Sequence, residues 1–128
     1  MRLLLDTHTL LWWRMDDDRL PGALDSVITD TRNEILVSIV SLWEIAIKRS
    51  LGKLRFDGSL NQFAATLARE NGFTLLPLDV QHLTRLERLP NHHRDPFDRL
   101  LIAQTLETGA KAATNDPAWK KYRVKTLW

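Results

Sequence analysis

Four acidic residues stand where a carboxylate can do chemistry. Asp6 follows the apolar run RLLL, Glu44 lies inside SIVSLWEIAI, Asp98 stands in RDPFDRLLIAQ and Asp116 in AATNDPAW. If four carboxylates meet within ~5 Å, each pair repels by roughly 3 kcal/mol at an effective dielectric of 20, about 20 kcal/mol for the whole set. Such a cluster must take up protons or bind cations. Hard oxygen ligands in a chain without cysteine favour Mg²⁺, with Mn²⁺ as a substitute. An acidic cluster holding one or two such ions suits phosphodiester hydrolysis: one ion generates hydroxide and the other stabilises the leaving oxygen.

Each acid also has a purely structural reading. Asp6 and Asp116 fit the N-cap position, with Pro117 at the first helical residue. Asp98, three residues after Asp95, imitates a capping box with Asp in place of Glu or Gln. Glu44 has Lys48 four residues on, on the same helical face. The helix around Glu44 is apolar on almost every side (Ile39, Val40, Leu42, Trp43, Ile45, Ala46 and Ile47), so it reads as buried, with Trp43 in the core.

The elements that position these acids follow from pattern and punctuation. Arg2–Leu5 reads as a short buried strand and Thr7–Met15 as a helix. A polar break precedes a second helix from Pro21 to about Arg32. Ile35–Val37 reads as a strand, and Ser38 caps a helix that Gly52 ends. Ser59–Asn71 is an amphipathic helix closed by Gly72. Phe73–Leu76 is a third strand, and Asp79 caps a helix to about Leu89. PNHHR is a loop. Asp95–Thr108 is a strong helix ending at Gly109, Ala112–Thr114 a fourth strand, Asp116–Pro117 the start of a short helix, and Val124–Leu127 a last strand. Strands alternating with helices predict βαβ units and a parallel sheet covered on both faces, in one domain over residues 1–128. Carboxyl ends of strands and amino ends of helices share one side of such a sheet. Asp6, Asp98 and Asp116 therefore point toward one rim, and Glu44, nearly two turns into its helix, can lean toward it.

The chain has 128 residues, 44% hydrophobic and 27% charged, which is enough for a core without staples. The absence of cysteine excludes disulfides and thiolate metal sites. A net charge of only +2 means that any nucleic-acid surface must be local. The N-terminal apolar run is interrupted by Asp6 and His8, too early for a secretory signal, and no segment reaches the ~20 apolar residues of a membrane span. The expectation is a soluble, cytoplasmic protein without a membrane partner.

LLLDTHTLLWW, VSIVSLWEIAIK, HRDPFDRLLIAQ and TNDPAW, in this order and across almost the whole chain, resemble the PIN-domain family, and most of all the VapC-type ribonuclease toxins of bacterial toxin–antitoxin pairs. The resemblance implies a three-layer α/β/α sandwich on a central parallel sheet of four to five strands. It implies Mg²⁺-dependent endoribonuclease activity, an RNA substrate, a cognate antitoxin whose tail covers the active site, and a homodimer. Carried over by position, the metal-binding and catalytic acids are Asp6, Glu44, Asp98 and Asp116. In DPFD the family's acid is the second, which leaves Asp95 as a cap or a support. Thr7 and Thr114 stand beside motif acids, where they can orient water or a carboxylate.

Other residues invite a role in RNA contact. His92, His93 and Arg94 form a loop that either touches phosphate or is simply solvated. Lys48, Arg49, Lys53 and Arg55 follow the Glu44 helix; Lys120, Lys121, Arg123 and Lys125 surround Tyr122, which could stack on a base. Arg99 can pair with a site carboxylate or a phosphate. Trp12 and Trp13 project about 100° apart on a helix, so one of them is available to a partner's helical segment. Two other functions compete. An aspartyl-phosphate phosphatase also uses an Asp after strand one, but it needs a second acid two residues on, where this chain has His8. A non-catalytic RNA- or protein-binding module on the same fold, or a PIN-like nuclease that is not a toxin, is the remaining alternative.

Overall fold

The computed structural model describes residues 1–128. Five strands, β1 (Arg2–Leu5), β2 (Glu34–Ser38), β3 (Thr74–Leu76), β4 (Lys111–Ala113) and β5 (Thr126–Leu127), form one sheet in the order β3-β2-β1-β4-β5. Every pairing is parallel. Six α-helices connect them: α1 (Thr7–Arg14), α2 (Gly22–Thr29), α3 (Ile39–Ser50), α4 (Leu60–Arg69), α5 (Val80–Arg88) and α6 (Pro96–Thr108). A 3-10 helix, Pro117–Tyr122, joins β4 to β5. This is the three-layer α/β architecture expected from the strand–helix alternation, with five strands.

The strands are apolar at almost every position because both faces of the sheet are covered. Alternate residues enter different cores. Leu3, Leu5, Ile35, Val37 and Ala113 pack with residues of α1 to α4. Leu4, Leu36 and Ala112 pack with α6 and the 3-10 segment, through Leu101, Ile102 and Trp119. The chain builds β1, β2 and β3 in one direction and then returns past β1 to place β4 on its other side. A reversal of direction with one crossover hand puts the later helices on the opposite face. The switch point lies between β1 and β4, where Leu4 pairs with Ala112 and Leu5 with Ala113. The chain after each strand diverges there and leaves room beyond the carboxyl ends.

Several boundaries differ from the sequence reading. The second helix stops at Thr29, because Asp30 turns to accept a hydrogen bond from the Arg32 amide at 3.0 Å. β4 begins at Lys111, and Thr114 lies beyond it. β5 shrinks to Thr126–Leu127.

The larger difference is α3. Its Ser38 cap, which accepts from the Val40 amide at 3.0 Å, is as expected. Only one face of the helix is buried, through Val40, Ser41, Leu42, Glu44 and Ile45. Ile39, Trp43, Ile47 and Leu51 are exposed. Trp43 is 50% exposed and meets only the edge of Phe97, with ring centroids 4.8 Å apart, so it is not a core residue. The four recur every four residues and form one stripe on the side away from the sheet. Apolarity all round the helix hid this division. Trp12 and Trp13 separate as their angular offset requires: Trp13 packs on Phe73 toward the core, while Trp12 meets Trp128.

The two faces of α3 carry different energies. Ile45→Ala should lower the unfolding free energy by about 2–5 kcal/mol. Leu51→Ala, just past the helix end and 61% exposed, should change it by no more than about 0.5 kcal/mol. Urea denaturation of both variants checks this.

Candidate functional site

The rim at the switch point collects acids from four elements. Asp6 is the N-cap of α1, and its Oδ1 accepts from the Thr9 amide at 2.7 Å. It is 3% exposed. Burial pushes its pKa up; the Thr114 hydroxyl and the side chain and amide of Thr9 beside it oppose the rise. Asp116 caps the 3-10 helix, with Oδ1 accepting from the Ala118 amide at 2.9 Å. The capping readings of both residues therefore hold, and each keeps a second oxygen for other work. Thr114 links the two acids, since its hydroxyl also accepts from the Asp116 amide at 3.1 Å.

Asp95 is the N-cap of α6, accepting from the Phe97 amide at 2.8 Å and the Asp98 amide at 3.3 Å. A capping box would return the Asp98 carboxylate to the Asp95 amide. That amide instead donates to Nδ1 of His93 at 3.0 Å. The consequence is twofold. Asp98 is free of the cap and faces the rim. His93, accepting at Nδ1, carries its ring proton on Nε2. Nε2 donates to Asp116 Oδ2 at 2.8 Å and lies 3.2 Å from Asp98 Oδ2. One ligand atom from each of His93, Asp98 and Asp116 lies within 4.8 Å of the others.

The His93 loop is held from behind. The Tyr122 hydroxyl accepts from the amides of His92 at 2.9 Å and His93 at 2.8 Å. Arg99 does not reach a site carboxylate, as its position beside Asp98 allowed. Its guanidinium donates to the Pro90 carbonyl at 2.9 Å and reaches the Tyr122 hydroxyl at 3.4 Å. Tyr122 is 5% exposed, which removes it as a base-stacking surface. Its role is to anchor this loop, and nothing in the basic run KKYRVK signalled that.

Asp98 feels its neighbours. Burial, and next the charge of Asp95, raise its pKa from an ordinary 3.8 to about 7; His93 lowers it, and Asp6 and Glu44 raise it further. Glu44 is 5% exposed and pairs with Lys48, Nζ to Oε2 2.8 Å. Its structural partner is thus present, yet its charge still reaches Asp98. Thr7 turns its hydroxyl to Ser41 on α3 at 3.1 Å rather than to a carboxylate, tying α1 to the helix that bears Glu44. Thr9 lies within LLLDTHTLLWW, but the sequence assigns it no role. It is fully buried, donates its hydroxyl to the Ala113 carbonyl at 2.9 Å, and locks Asp6 against β4. The signal for it is its place three residues after the N-cap Asp6.

The expected RNA contacts divide. Lys48 is engaged by Glu44, and Arg49 donates to the Gly58 carbonyl at 2.7 Å and lies 4.4 Å over the Phe56 ring. His92 is edge-on to Tyr122 at 5.1 Å. His93 is part of the acidic rim, and Arg94 lines a neighbouring cleft with it.

The donor set fits a hard divalent cation. All the oxygens are carboxylates, and burial, with the charges of Asp95, Asp6 and Glu44 added to it, raises the proton affinity of Asp98, the condition that a divalent ion relieves. Of the four acids, Asp98 and Asp116 bring ligand atoms together with His93, and Asp6 and Glu44 lie outside that group while their charges reach Asp98. The Nε2 proton makes His93 a clamp on these carboxylates, not a competing ligand.

A five-stranded parallel α/β/α sheet with acids gathered at its switch point defines a recognised class: the chain belongs to the PIN domain family, whose pattern matches residues 3–125. Among curated proteins it is similar to Ribonuclease VapC22 of Mycobacterium tuberculosis (strain ATCC 25618 / H37Rv), 26% identical over 129 residues, covering 98% of each chain. The fold is shared with a chain of VapBC2 from Rickettsia felis bound to a DNA fragment from their promoter (TM-score 0.70, 15% identity, 100% of this chain and 98% of that one). It is shared also with FitAcB from Neisseria gonorrhoeae (TM-score 0.67, 16% identity, 98% and 96% covered). No helix is long and apolar enough to cross a membrane.

The raised Asp98 proton affinity has a sign. Between pH about 4 and about 7 the folded protein holds a proton on Asp98 that the unfolded chain releases, so this residue's contribution to stability falls as pH rises through that window. In chelator, Asp98→Asn should therefore gain on the parent protein as pH rises from about 4 to 7, by on the order of a few kcal/mol. Thermal melts of both proteins across that range check the sign.

Proposed function

We propose that this protein is a Mg²⁺-dependent endoribonuclease that acts in the cytoplasm as the toxin of a type II toxin–antitoxin pair. The observation that carries the reading is the convergence of Asp98, Asp116 and His93, one ligand atom of each within 4.8 Å of the others, within the field of Asp6 and Glu44. The likeness to Ribonuclease VapC22 over nearly the full length of both chains supports it.

Each residue has a definable task. Asp98 and Asp116 present carboxylate oxygens to Mg²⁺. Asp6, fixed by Thr9 and Thr114, adds charge that cannot swing away. Glu44 adds negative charge from the wall formed by α3, with Lys48 moderating it. His93 keeps the Asp98 and Asp116 carboxylates converged. When bound, Mg²⁺ lowers the pKa of water and offsets charge on the phosphoryl oxygens. Carboxylates held this way need little rearrangement at the moment of reaction.

Two protein partners complete the reading. An antitoxin segment covers the acidic rim, supported by the likeness to chains from VapBC2 and FitAcB. The exposed α3 stripe of Ile39, Trp43 and Ile47 serves a homodimer. An apolar stripe on one helix can meet its own copy across a two-fold axis.

Purified protein should cleave RNA with Mg²⁺ or Mn²⁺ and stop on addition of chelator. Asp98→Asn should lower the cleavage rate by more than about a hundredfold with the circular dichroism spectrum unchanged. An Asp98→Asn protein that cleaves like the parent would show that the acids are misassigned. Trp43→Glu should convert the dimer to monomer in sedimentation equilibrium; a variant that sediments like the parent places the dimer elsewhere.

A further inference from the structure

The chain has two basic runs, and the fold treats them differently. In the first, Lys48 and Arg49 are engaged within the protein. The second converges with the end of α5. Arg88, Lys121 and Arg123 border a cleft of about 470 Å³, with His92 and Arg85 beside them. Arg85 is paired with Glu107 at 2.8 Å, whereas Arg88, Lys121 and Arg123 have no ion pair. No acidic side chain lines the cleft, and its floor is Leu89, Pro90, Leu106 and the Tyr122 ring.

Uncompensated cations around one concavity focus a positive potential. The volume lies in the range of about 300–1,000 Å³ typical of ligand sites. A cationic rim over an apolar floor suits a nucleotide, with phosphate at the rim and the sugar on the floor. The cleft also adjoins the acidic rim. His92 lines it, and the next residue, His93, holds Asp98 and Asp116.

We propose that this cleft is a phosphate-binding subsite for single-stranded RNA flanking the cleaved bond, with Arg88, Lys121 and Arg123 as its contacts. The proposal rests on the ribonuclease reading above. An acidic peptide would also be drawn to these cations, but the apolar floor and the adjacency to the acidic rim favour nucleic acid.

The test uses Asp98→Asn protein, so that RNA survives, and a fluorescent single-stranded RNA of mixed sequence, with anisotropy read across a KCl series in Mg²⁺. Adding Arg88→Gln and Lys121→Gln should weaken binding about tenfold at low salt, equally for different sequences. It should also flatten the log–log salt slope by about 0.7 for each phosphate no longer neutralised. Lys53→Ala, in the first basic run, should change neither. Unchanged affinity and slope in the Arg88→Gln/Lys121→Gln protein, while the parent cleaves RNA, overturns the subsite and leaves the ribonuclease reading standing. Weakened binding of the co-expressed partner protein with RNA binding intact assigns the cleft to an acidic peptide and overturns the RNA proposal. A parent that neither cleaves nor binds RNA removes the ribonuclease reading, and the subsite with it.

Discussion

Carboxylates withdrawn from water at the end of β1 must be offset by donors or cations, and much of the structure around the rim is the means of doing so. Asp6 receives the Thr9 amide, with the Thr114 hydroxyl beside it. Glu44 receives Lys48. Asp116 receives the His93 N–H, which lies 3.2 Å from Asp98. The offset is partial, which is why Asp98 holds its proton to about pH 7. A structural cluster would be expected to neutralise itself; a partial offset is what a cation site requires.

The geometry of this offset depends on one backbone amide. Had the Asp95 N–H gone to Asp98, the start of α6 would have been a closed capping box and Asp98 a structural residue. Its donation to His93 Nδ1 releases Asp98 and fixes the imidazole tautomer together. The loop that makes this possible is pinned by Tyr122 and Arg99, both drawn inward. Residues that look like surface chemistry in the sequence are thus the supports of the site.

The sheet supplies the common origin. β1 lies between β2 and β4, and the chain passes from one face to the other at that point. Asp6 and Asp116 follow the two strands at the switch, and α6 begins beside them on the second face. The Ser38 side chain, hydrogen-bonded to Gln104, ties the start of α3 to α6, so the helix that bears Glu44 and the helix that bears Asp98 hold a fixed relation. Gln104 reaches on to the Pro77 carbonyl at 3.2 Å, extending the tie to the turn after β3.

The order of residues alone was enough for the alternation of strands and helices, the caps at Asp6, Ser38, Asp95 and Asp116, and the four acids with their common side of the sheet. These are local properties: capping, periodicity and strand apolarity depend on residues a few positions apart. It was not enough to say which face of α3 is buried, because apolar residues on all sides carry no phase; Trp43 and Ile47 are exposed because the sheet covers the opposite face. Nor did it reveal that His93, Tyr122 and Arg99 form one support, or that Lys48 and Arg49 are engaged internally while Lys121 and Arg123 border an open cleft. Those depend on hydrogen bonds between residues 9 to 30 positions apart, and on which of several available donors reaches an acceptor first. Tertiary packing settles that competition, since every local alternative, the Asp95–Asp98 capping box among them, was chemically sound until the fold placed His93 beside it.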